Sequence, residues 1–218
     1  KMGLIKNQQI EITNWLNSDR NYDDGVFLYQ KYGKNPVFGG DYGTCFDVSL
    51  LLEEGKEGMP VFKMWFSWRP KRAVGYTEST DGIHWENPCV VLEPLPGSSW
   101  EADEINRPAV IHHNGQYMMW YSGQMKPYLE DGRSVIGLAV SSDGIHWERR
   151  QEPVMVPDQA WELQAIMCPH VLFDEEDQLY KMWYAAGCNH EPDAIGYASL
   201  SAVSDKIKAL SVGGVAPG

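Results

Sequence analysis

The sequence predicts an all-β fold, a β-propeller built from four-stranded sheets, because it contains an internal repeat. The segment Gly75–Trp85 (GYTESTDGIHW) returns about 60 residues later as Gly137–Trp147 (GLAVSSDGIHW), and a third copy begins at Ile195. An aromatic segment precedes each copy, with the sequences FKMWFS, YMMWYS and YKMWYA. Short alternating segments between Gly, Asp and Asn turns indicate strands, and a repeat of four such strands is typical of a propeller blade.

Taken in order, the chain divides into an opening segment, three blades and a tail. Residues 29–38 resemble the sequence after Trp85 and Trp147, so they are predicted to form a strand that closes the ring from the amino-terminal side. Blades are predicted at 39–88, 97–150 and 158–200. Their inner strands are predicted at Asp47–Leu52, Arg107–His112 and Cys168–Phe173. Residues 201–218 lack aromatic residues and the repeated motifs, and are expected to be an atypical tail.

Composition and charge exclude several kinds of partner. With a formal net charge of −12, the protein lacks the basic character that binding to nucleic acid or an anionic membrane requires, whereas a neutral sugar is compatible with it. No apolar run approaches the length of about 18 residues that a membrane span needs. The sequence has no nucleotide-binding loop, HExxH motif or Cys/His metal spacing, so neither a cofactor nor a metal ion is expected.

The four cysteines bear on the cellular compartment. They are Cys45, Cys89, Cys168 and Cys188. They form no CxxC pair and are too few for a disulfide scaffold, so they are predicted to be small buried free thiols. Free thiols favour a cytoplasmic location, and export with a removed signal peptide is the alternative.

Residues that recur in each copy are expected to serve the scaffold. Asp81 and His84 return as Asp143 and His146, and the aspartates are predicted to hold the turn through bonds to its backbone. Recurring acidic residues precede the three inner strands at one register: Asp41, Glu101 and Glu162. They are predicted to be hydrogen-bond partners that join blades, and the Met-Trp segments are predicted to pack between blades.

Function is expected where the repeat is broken, because a substrate on the propeller axis meets each blade differently. The three inner strands begin with different residues at matching positions, namely Phe46-Asp47, Asn106-Arg107 and Met167-Cys168. His170 follows on the third strand. These unlike positions are the candidates for contact with a substrate.

The repeated motifs support a family resemblance. The segments YMMWYSG and IGLAVSSDGIHW, together with the predicted closing strand, resemble the five-bladed β-propeller glycosidases of glycoside hydrolase families 43, 32, 62 and 130. The resemblance covers about residues 29–199 and implies an enzyme that cleaves a glycosidic bond of an oligo- or polysaccharide. In these enzymes the first inner strand carries an Asp at the mouth of the central funnel, commonly before a Pro, and Asp47 before Val48 matches that position except for the Pro. The resemblance therefore implies that Asp47 is catalytic, as a base that activates water in the family 43 pattern or as a general acid in the family 130 pattern. The alternative is a solvated carboxylate at the end of a strand.

The chain departs from the hydrolase pattern at the partners of Asp47. Met167 stands where family 43 has its acidic Glu, and Ala109 stands where that family has a second Asp. Inverting hydrolysis requires two carboxyl groups roughly 6.5–9.5 Å apart. Asp103 and Glu104, on the approach to the second inner strand, are the best substitutes, and the alternative for each is an ordinary loop charge.

Two further functions remain open from the sequence. Asn106, Arg107 and His170 near one carboxylate resemble the phosphate-binding groups of family 130 phosphorylases, with inorganic phosphate as the nucleophile. The alternative is that Arg107 forms an ion pair with Asp47 or Glu104. The third function is a non-catalytic carbohydrate-binding module in which Trp68 and Tyr128 stack on sugar rings.

The number of blades predicts an open edge. Closed propellers have about four to eight blades, so three blades and one extra strand are expected to be incomplete at the carboxyl terminus relative to five. The last sheet is then expected to expose the apolar face around Met182, Trp183 and Tyr184, and to self-associate through it.

Overall fold

The computed structural model describes residues 31–125, 132–188 and 191–202. Two compact units are distinguished, Lys1–Asn35 and Pro36–Gly218, and the described strands all belong to the second. The strands are β1 (Cys45–Glu54), β2 (Pro60–Trp68), β3 (Ala73–Ser79), β4 (Cys89–Leu92), β5 (Glu104–His113), β6 (Gln116–Gln124), β7 (Ser134–Ser141), β8 (Glu148–Arg149), β9 (Ala165–Asp174), β10 (Leu179–Gly187) and β11 (Pro192–Ser201). Short 3-10 turns lie at Gly40–Tyr42, Lys56–Gly58, Arg69–Lys71 and Ala160–Glu162. The described residues contain no α-helix, and thus none long and apolar enough to cross a membrane.

The strands form successive antiparallel sheets, as the repeat predicts. Blade 1 has the order β1-β2-β3-β4, and blade 2 has the order β5-β6-β7-β8. Blade 3 comprises β9, β10 and β11 within the described residues; β10 pairs with β11, and Lys181 on β10 bonds Asp174 on β9. One parallel pairing, Ser134 with Ala165, joins β7 to β9. The all-β propeller prediction is therefore confirmed in its four-stranded blades.

The predicted closing strand and the predicted end of blade 1 differ from the structure. The described part of the predicted closing strand, residues 31–38, forms turns and bends, and Asn35 N donates to Tyr32 O at 3.2 Å. Gly33 favours the turn, and Pro36 has no N–H for a strand ladder. The outer strand β4 begins at Cys89, one residue beyond the end predicted for blade 1.

A fixed aromatic and glycine pattern explains why the repeat folds into blades. On the central strand pair of blade 1, Trp65 lies opposite Tyr76, and Phe66 lies opposite Gly75. The Phe66 ring covers this glycine so closely that an added Cβ would stand 2.4 Å from the ring. The same arrangement places Tyr121 over Gly137 in blade 2 and Tyr184 over Gly196 in blade 3. The recurring glycines thus make room for the recurring aromatic rings.

The core lies between blades, as predicted for the Met-Trp segments. Trp65 of blade 1 is fully buried in a cluster with residues of blade 2 that include Tyr117 and Met119. Its Nε1 also donates to the carbonyl of Gly144 at 2.8 Å. A second cluster joins Trp120 of blade 2 to Met182 of blade 3. Each blade therefore depends on its neighbour for burial of its apolar face.

The Asp-Gly-Ile-His-Trp turns are held as the sequence predicts. Asp81 Oδ1 accepts hydrogen bonds from the backbone N–H groups of Ile83 and His84, both at 2.8 Å. The turn after β7 has the same bonds, made by Asp143. Bonds from His84, with its ring nitrogen 2.7 Å from the carboxylate, and from these N–H groups hold the pKa of Asp81 well below its usual range.

The cysteine prediction is correct on pairing and wrong on burial. All four thiols are free. Cys45 is partly buried, whereas Cys89, Cys168 and Cys188 are exposed. Cys168 lies on β9 between the buried Met167 and Pro169, and Cys89 is the first residue of β4, so small size alone does not place a thiol inside.

A charged cluster joins blades 1 and 2 at the far ends of their inner strands. Glu53 lies 2.9 Å from Lys63 and 2.7 Å from His112, and Tyr117 donates its hydroxyl proton to Glu53. Partial burial raises the pKa of Glu53, but the bonds from Tyr117 and Lys63 outweigh burial and bring it below its usual value. The same contacts overcome burial and raise the pKa of Lys63.

The cluster predicts a pH dependence of stability. Because the folded-state pKa of Glu53 is lowered, its contribution is complete above its ordinary pKa of about 4.3 and decreases as the pH falls through the folded value. We expect Glu53→Gln to lower the free energy of unfolding by about 2 kcal/mol at pH 7, and by less below pH 4. Denaturant unfolding at several pH values measures this. Glu54→Gln, on the same strand and exposed, is the control, and an equal loss in both variants would contradict the prediction.

Candidate active site

The three inner strands surround a cavity of about 420 Å³. Its walls come from β1, β5 and β9, so each blade contributes one side. The lining residues that carry chemistry are Asp47 and Ser49 from β1, Arg107 from β5, and Cys168 and His170 from β9. The cavity therefore brings together Asp47, Arg107 and His170, which the sequence had placed on separate strands.

A backbone irregularity repeated in all three strands shapes the cavity wall. Asp47, Arg107 and Cys168 occupy equivalent positions and have φ values of 49°, 55° and 53°. The pairing of β1 with β2 and of β5 with β6 shifts at this point, as in a β-bulge. A left-handed conformation is unusual for residues other than glycine and is enriched at functional sites. The left-handed residues thus fall at the three positions where the blades differ most in chemistry.

Asp47 and Arg107 form the electrostatic centre of this wall. Arg107 Nε lies 3.5 Å from Asp47 Oδ2, so the ion pair that the sequence left as an alternative is present. The carboxylate of Asp47 is about half exposed, and the guanidinium is mostly buried. Although Cys168 keeps an exposed surface, partial desolvation by its neighbours raises the pKa of its thiol, Arg107 opposes this effect, and Asp47 adds to it. The thiol is therefore held in its protonated form.

A buried chain of hydrogen bonds holds the guanidinium from behind. Arg107 Nη1 donates to Asn106 Oδ1 at 3.0 Å, and Asn106 Nδ2 donates to Glu104 Oε1 at 2.9 Å. Asn106 and Glu104 are buried and lie outside the cavity lining. Since the Glu104 carboxylate binds the amide group, it orients the Asn106 oxygen toward Arg107. This contact gives Glu104 a supporting position; its catalytic role remains a prediction.

The other predicted site residues lie elsewhere. Asp103 is buried and bonded to Arg72 of blade 1, away from the cavity lining. Trp68 donates its Nε1 proton to Tyr42 O at 2.8 Å and lies outside the lining. Tyr128 lies outside the described residues. Among the described residues that line the cavity, Asp47 is the single carboxylate, and no cluster in the described part of the chain could hold a metal ion.

The repeated acidic residues act inside their own blades. Tyr121 donates to buried Glu101 at 2.8 Å, and Tyr184 donates to buried Glu162 at 2.7 Å. In blade 1 the residue equivalent to Tyr121 and Tyr184 is Phe66, which has no hydroxyl group, and the equivalent acidic residue, Asp41, is exposed. The predicted hydrogen-bond role thus holds for Glu101 and Glu162, but the bonds run within a blade and not between blades.

Glu162 allows a direct test of this structural assignment. Its carboxylate also accepts hydrogen bonds from the backbone N–H groups of Asp158 and Gln159, at 2.7 and 2.9 Å. We expect Glu162→Gln to lower the free energy of unfolding by about 1–2 kcal/mol and to leave kcat nearly unchanged. Tyr184→Phe removes one of the same bonds and should show the same pattern. Loss of activity at constant stability would assign Glu162 to the chemistry instead.

Two serine hydroxyl groups that were not predicted as site residues support the left-handed residues of β5 and β9. Ser67 Oγ accepts a hydrogen bond from Arg107 N at 2.7 Å, and Ser122 Oγ accepts one from Cys168 N at 3.1 Å. These serines end the repeated segments FKMWFS and YMMWYS, so their recurrence was visible in the sequence. Their function was not, because it depends on which backbone N–H group the next blade presents.

The chain is similar in sequence to curated proteins of Mycobacterium tuberculosis and Thermoanaerobacter sp.. An uncharacterized protein of Mycobacterium tuberculosis (strain CDC 1551 / Oshkosh) is 28% identical over 151 residues, which cover 68% of this chain and 44% of the relative. A 1,2-beta-oligomannan phosphorylase of Thermoanaerobacter sp. (strain X514) is 31% identical over 97 residues, which cover 43% of this chain and 32% of that enzyme. The chain spans less than half the length of the curated relatives it matches.

Solved structures show the same fold. The beta-1,2-mannobiose phosphorylase from Listeria innocua, in complex with beta-1,2-mannobiose, matches with a TM-score of 0.61 and 16% sequence identity. The match covers 81% of this chain and 48% of that chain. The resemblance to propeller glycosidases inferred from the repeated motifs is therefore confirmed.

The sequence match at family level extends over most of the three blades. The family model described as glycosyl hydrolases family 32 N-terminal domain matches residues 61–208, which is more than half of the chain. The chain therefore belongs to the family that is defined by the N-terminal domain of glycosyl hydrolases family 32.

Proposed function

We propose that the protein cleaves a glycosidic bond of an oligosaccharide with inorganic phosphate as the nucleophile. The observation that carries this proposal is the composition of the cavity wall, where one carboxylate, Asp47, faces one guanidinium, Arg107. A phosphorylase needs one acidic group for the leaving oxygen and cations for phosphate. The described cavity contains both.

Arg107 suits the phosphate role. Its contacts with Asp47 and Asn106 use Nε and Nη1, two of the three nitrogens of a group with five N–H donors. A guanidinium held at one side can bind two phosphate oxygens with its remaining donors. His170, exposed on the opposite strand β9, is a second group for the same anion.

Asp47 is the proposed general acid. In its protonated form it donates a proton to the glycosidic oxygen while a phosphate oxygen attacks the anomeric carbon. The bond from this carbon to the glycosidic oxygen breaks, and a new carbon–oxygen bond to phosphate forms. The products are a sugar 1-phosphate and a saccharide with a free hydroxyl group.

The curated relatives support the same choice of reaction. The two Thermoanaerobacter sp. relatives are a 1,2-beta-oligomannan phosphorylase and a beta-1,2-mannobiose phosphorylase. We therefore propose β-1,2-linked mannosides as the first substrates to test. The three exposed free thiols fit a reducing compartment, and a cytoplasmic location is proposed with this function.

Hydrolysis is the second candidate, because the matching family model is one of glycosyl hydrolases. It would require a second carboxyl group near Asp47. Glu104 reaches Arg107 through Asn106, but it is buried outside the cavity lining. The described wall therefore favours phosphorolysis.

Product analysis tests the proposal. The protein is incubated with β-1,2-mannobiose and longer β-1,2-mannosides, with and without inorganic phosphate, and ³¹P NMR follows the products. We expect a sugar 1-phosphate that forms only with phosphate. Release of free sugar at the same rate without phosphate would establish hydrolysis instead. Saccharide binding without either product would establish a binding module.

A further inference from the structure

Arg107 depends on a residue of the preceding blade for its backbone conformation. It has a φ of 55°, which a residue with a side chain rarely adopts. Its N–H group donates to Ser67 Oγ at 2.7 Å, and Ser67, the next-to-last residue of β2, has no exposed surface. The bond therefore ties the bulge of β5 to the rigid interior of blade 1.

The same bond occurs at the next junction between blades. Cys168, with a φ of 53°, donates its N–H to Ser122 Oγ at 3.1 Å, and Ser122 is likewise fully buried. In blade 3 the corresponding position of the repeat is Ala185, which has no hydroxyl group. In the described chain, two junctions between blades thus have the same serine-to-backbone hydrogen bond. Only the bond at the first junction supports a charged cavity residue, Arg107.

We propose that Ser67 is a positioning residue for Arg107, an inference that rests on the proposed phosphate-binding role of that arginine. The hydroxyl holds the bulge in place, and the bulge directs the arginine side chain into the cavity toward Asp47. Without the hydroxyl, the N–H loses its partner and the left-handed conformation loses its support. A bulge that relaxes toward regular pairing would turn the side chain away from its present face.

The hydrogen bond between Ser67 and Arg107 explains why the site forms between two blades and not within one blade. Arg107 is fixed at its backbone by blade 1 through Ser67, and at its guanidinium by its own strand through Asn106. Asp47, on the neighbouring inner strand, is the third contact. The relative position of acid and phosphate-binding group is therefore set by the junction of blades 1 and 2.

Ser67→Ala is the test variant, and Ser122→Ala is its matched control, because it removes the same bond at the junction that holds Cys168. The first measurement is the Nε–H resonance of Arg107 in ¹⁵N-labelled protein, assigned by its loss in Arg107→Lys. We expect Ser67→Ala to shift this resonance and speed its hydrogen exchange. Ser122→Ala should leave the chemical shift of the Arg107 Nε–H resonance unchanged. Both variants should lower Tm by similar amounts.

The second measurement is phosphate saturation with β-1,2-mannobiose. We expect Ser67→Ala to raise the KM for phosphate about tenfold, the usual scale for one lost hydrogen bond, with a smaller change in kcat. If the wild-type protein shows no phosphate dependence, the proposed function fails, and the Arg107 resonance alone decides the positioning role. Ser67→Cys, which retains a weak acceptor, replaces Ser67→Ala if that variant does not fold. An unchanged Arg107 resonance, or an equal shift in Ser122→Ala, would overturn the proposal.

Discussion

Replacement of Asp47 by asparagine is expected to lower kcat for glycoside substrates by two to four orders of magnitude, the range for loss of a general acid or base. Asparagine has nearly the same size but cannot donate an acidic proton to the leaving oxygen. Because the side chain is about half exposed and lies at the cavity wall, we expect only a small change in thermal stability. Steady-state kinetics and thermal melting measure the two effects.

The control for this variant is Asp41→Asn, the same exchange at an exposed acidic residue outside the cavity lining. It should retain the wild-type kcat. If Asp47→Asn also retained kcat, the only carboxylate on the described cavity wall would have no part in the chemistry. If Asp47→Asn lost both activity and stability, the main role of the ion pair between Asp47 and Arg107 would be to stabilise the fold.

The apolar face of blade 3 is expected to make the 218-residue chain self-associate. Of the residues predicted for this face, Trp183 is 39% exposed, whereas Met182 and Tyr184 are buried because they point into the core between blades 2 and 3. Tyr197 lies opposite Trp183 on β11 and is 53% exposed. The equivalent tryptophans, Trp65 and Trp120, are 0% and 2% exposed because the following blade covers them. Burial of apolar surface at about 25 cal/mol per Å² gives a face of this kind a strong tendency to find a partner.

Size-exclusion chromatography with light scattering measures this association. We expect a concentration-dependent oligomer for the wild-type chain and a monomer for the double variant Trp183→Ser and Tyr197→Ser. The exposed Leu95 on the blade 1 to blade 2 connection provides the control, because Leu95→Ser removes an exposed apolar residue elsewhere. A monodisperse wild-type monomer with a cooperative melt would show that this face is covered within the chain.

Much of the fold could be predicted because the repeat constrains it several times over. The pairing of Trp65 with Tyr76, the glycine beneath each aromatic ring and the Asp81 turn all recur. A repeated residue must satisfy the same contacts in each blade, so its structural role can be read from its period. The cavity residues Asp47 and Arg107 were predicted for the opposite reason, because they differ at equivalent positions of the repeat.

The remaining features depend on contacts that no local pattern encodes. Glu104 is close in sequence to the cavity residue Arg107, but its carboxylate accepts a hydrogen bond from Asn106 in the interior. Ser67 governs Arg107 across 40 positions of sequence, through a backbone bond whose partner is set by the next blade. The stretch 31–38 resembles the segments that follow Trp85 and Trp147, yet Gly33 and Pro36 interrupt a strand locally.

Titration of inorganic phosphate into the protein, followed by calorimetry, tests most directly whether the cavity wall is a phosphate site. We expect saturable binding to the wild-type chain, and affinity at least tenfold weaker in Arg107→Gln, since one charge-assisted hydrogen bond contributes about 1.5–3 kcal/mol. Arg69→Gln, at an exposed arginine outside the cavity lining, should bind as the wild type does. Absence of binding to the wild-type chain, or equal affinity in Arg107→Gln, would contradict the account.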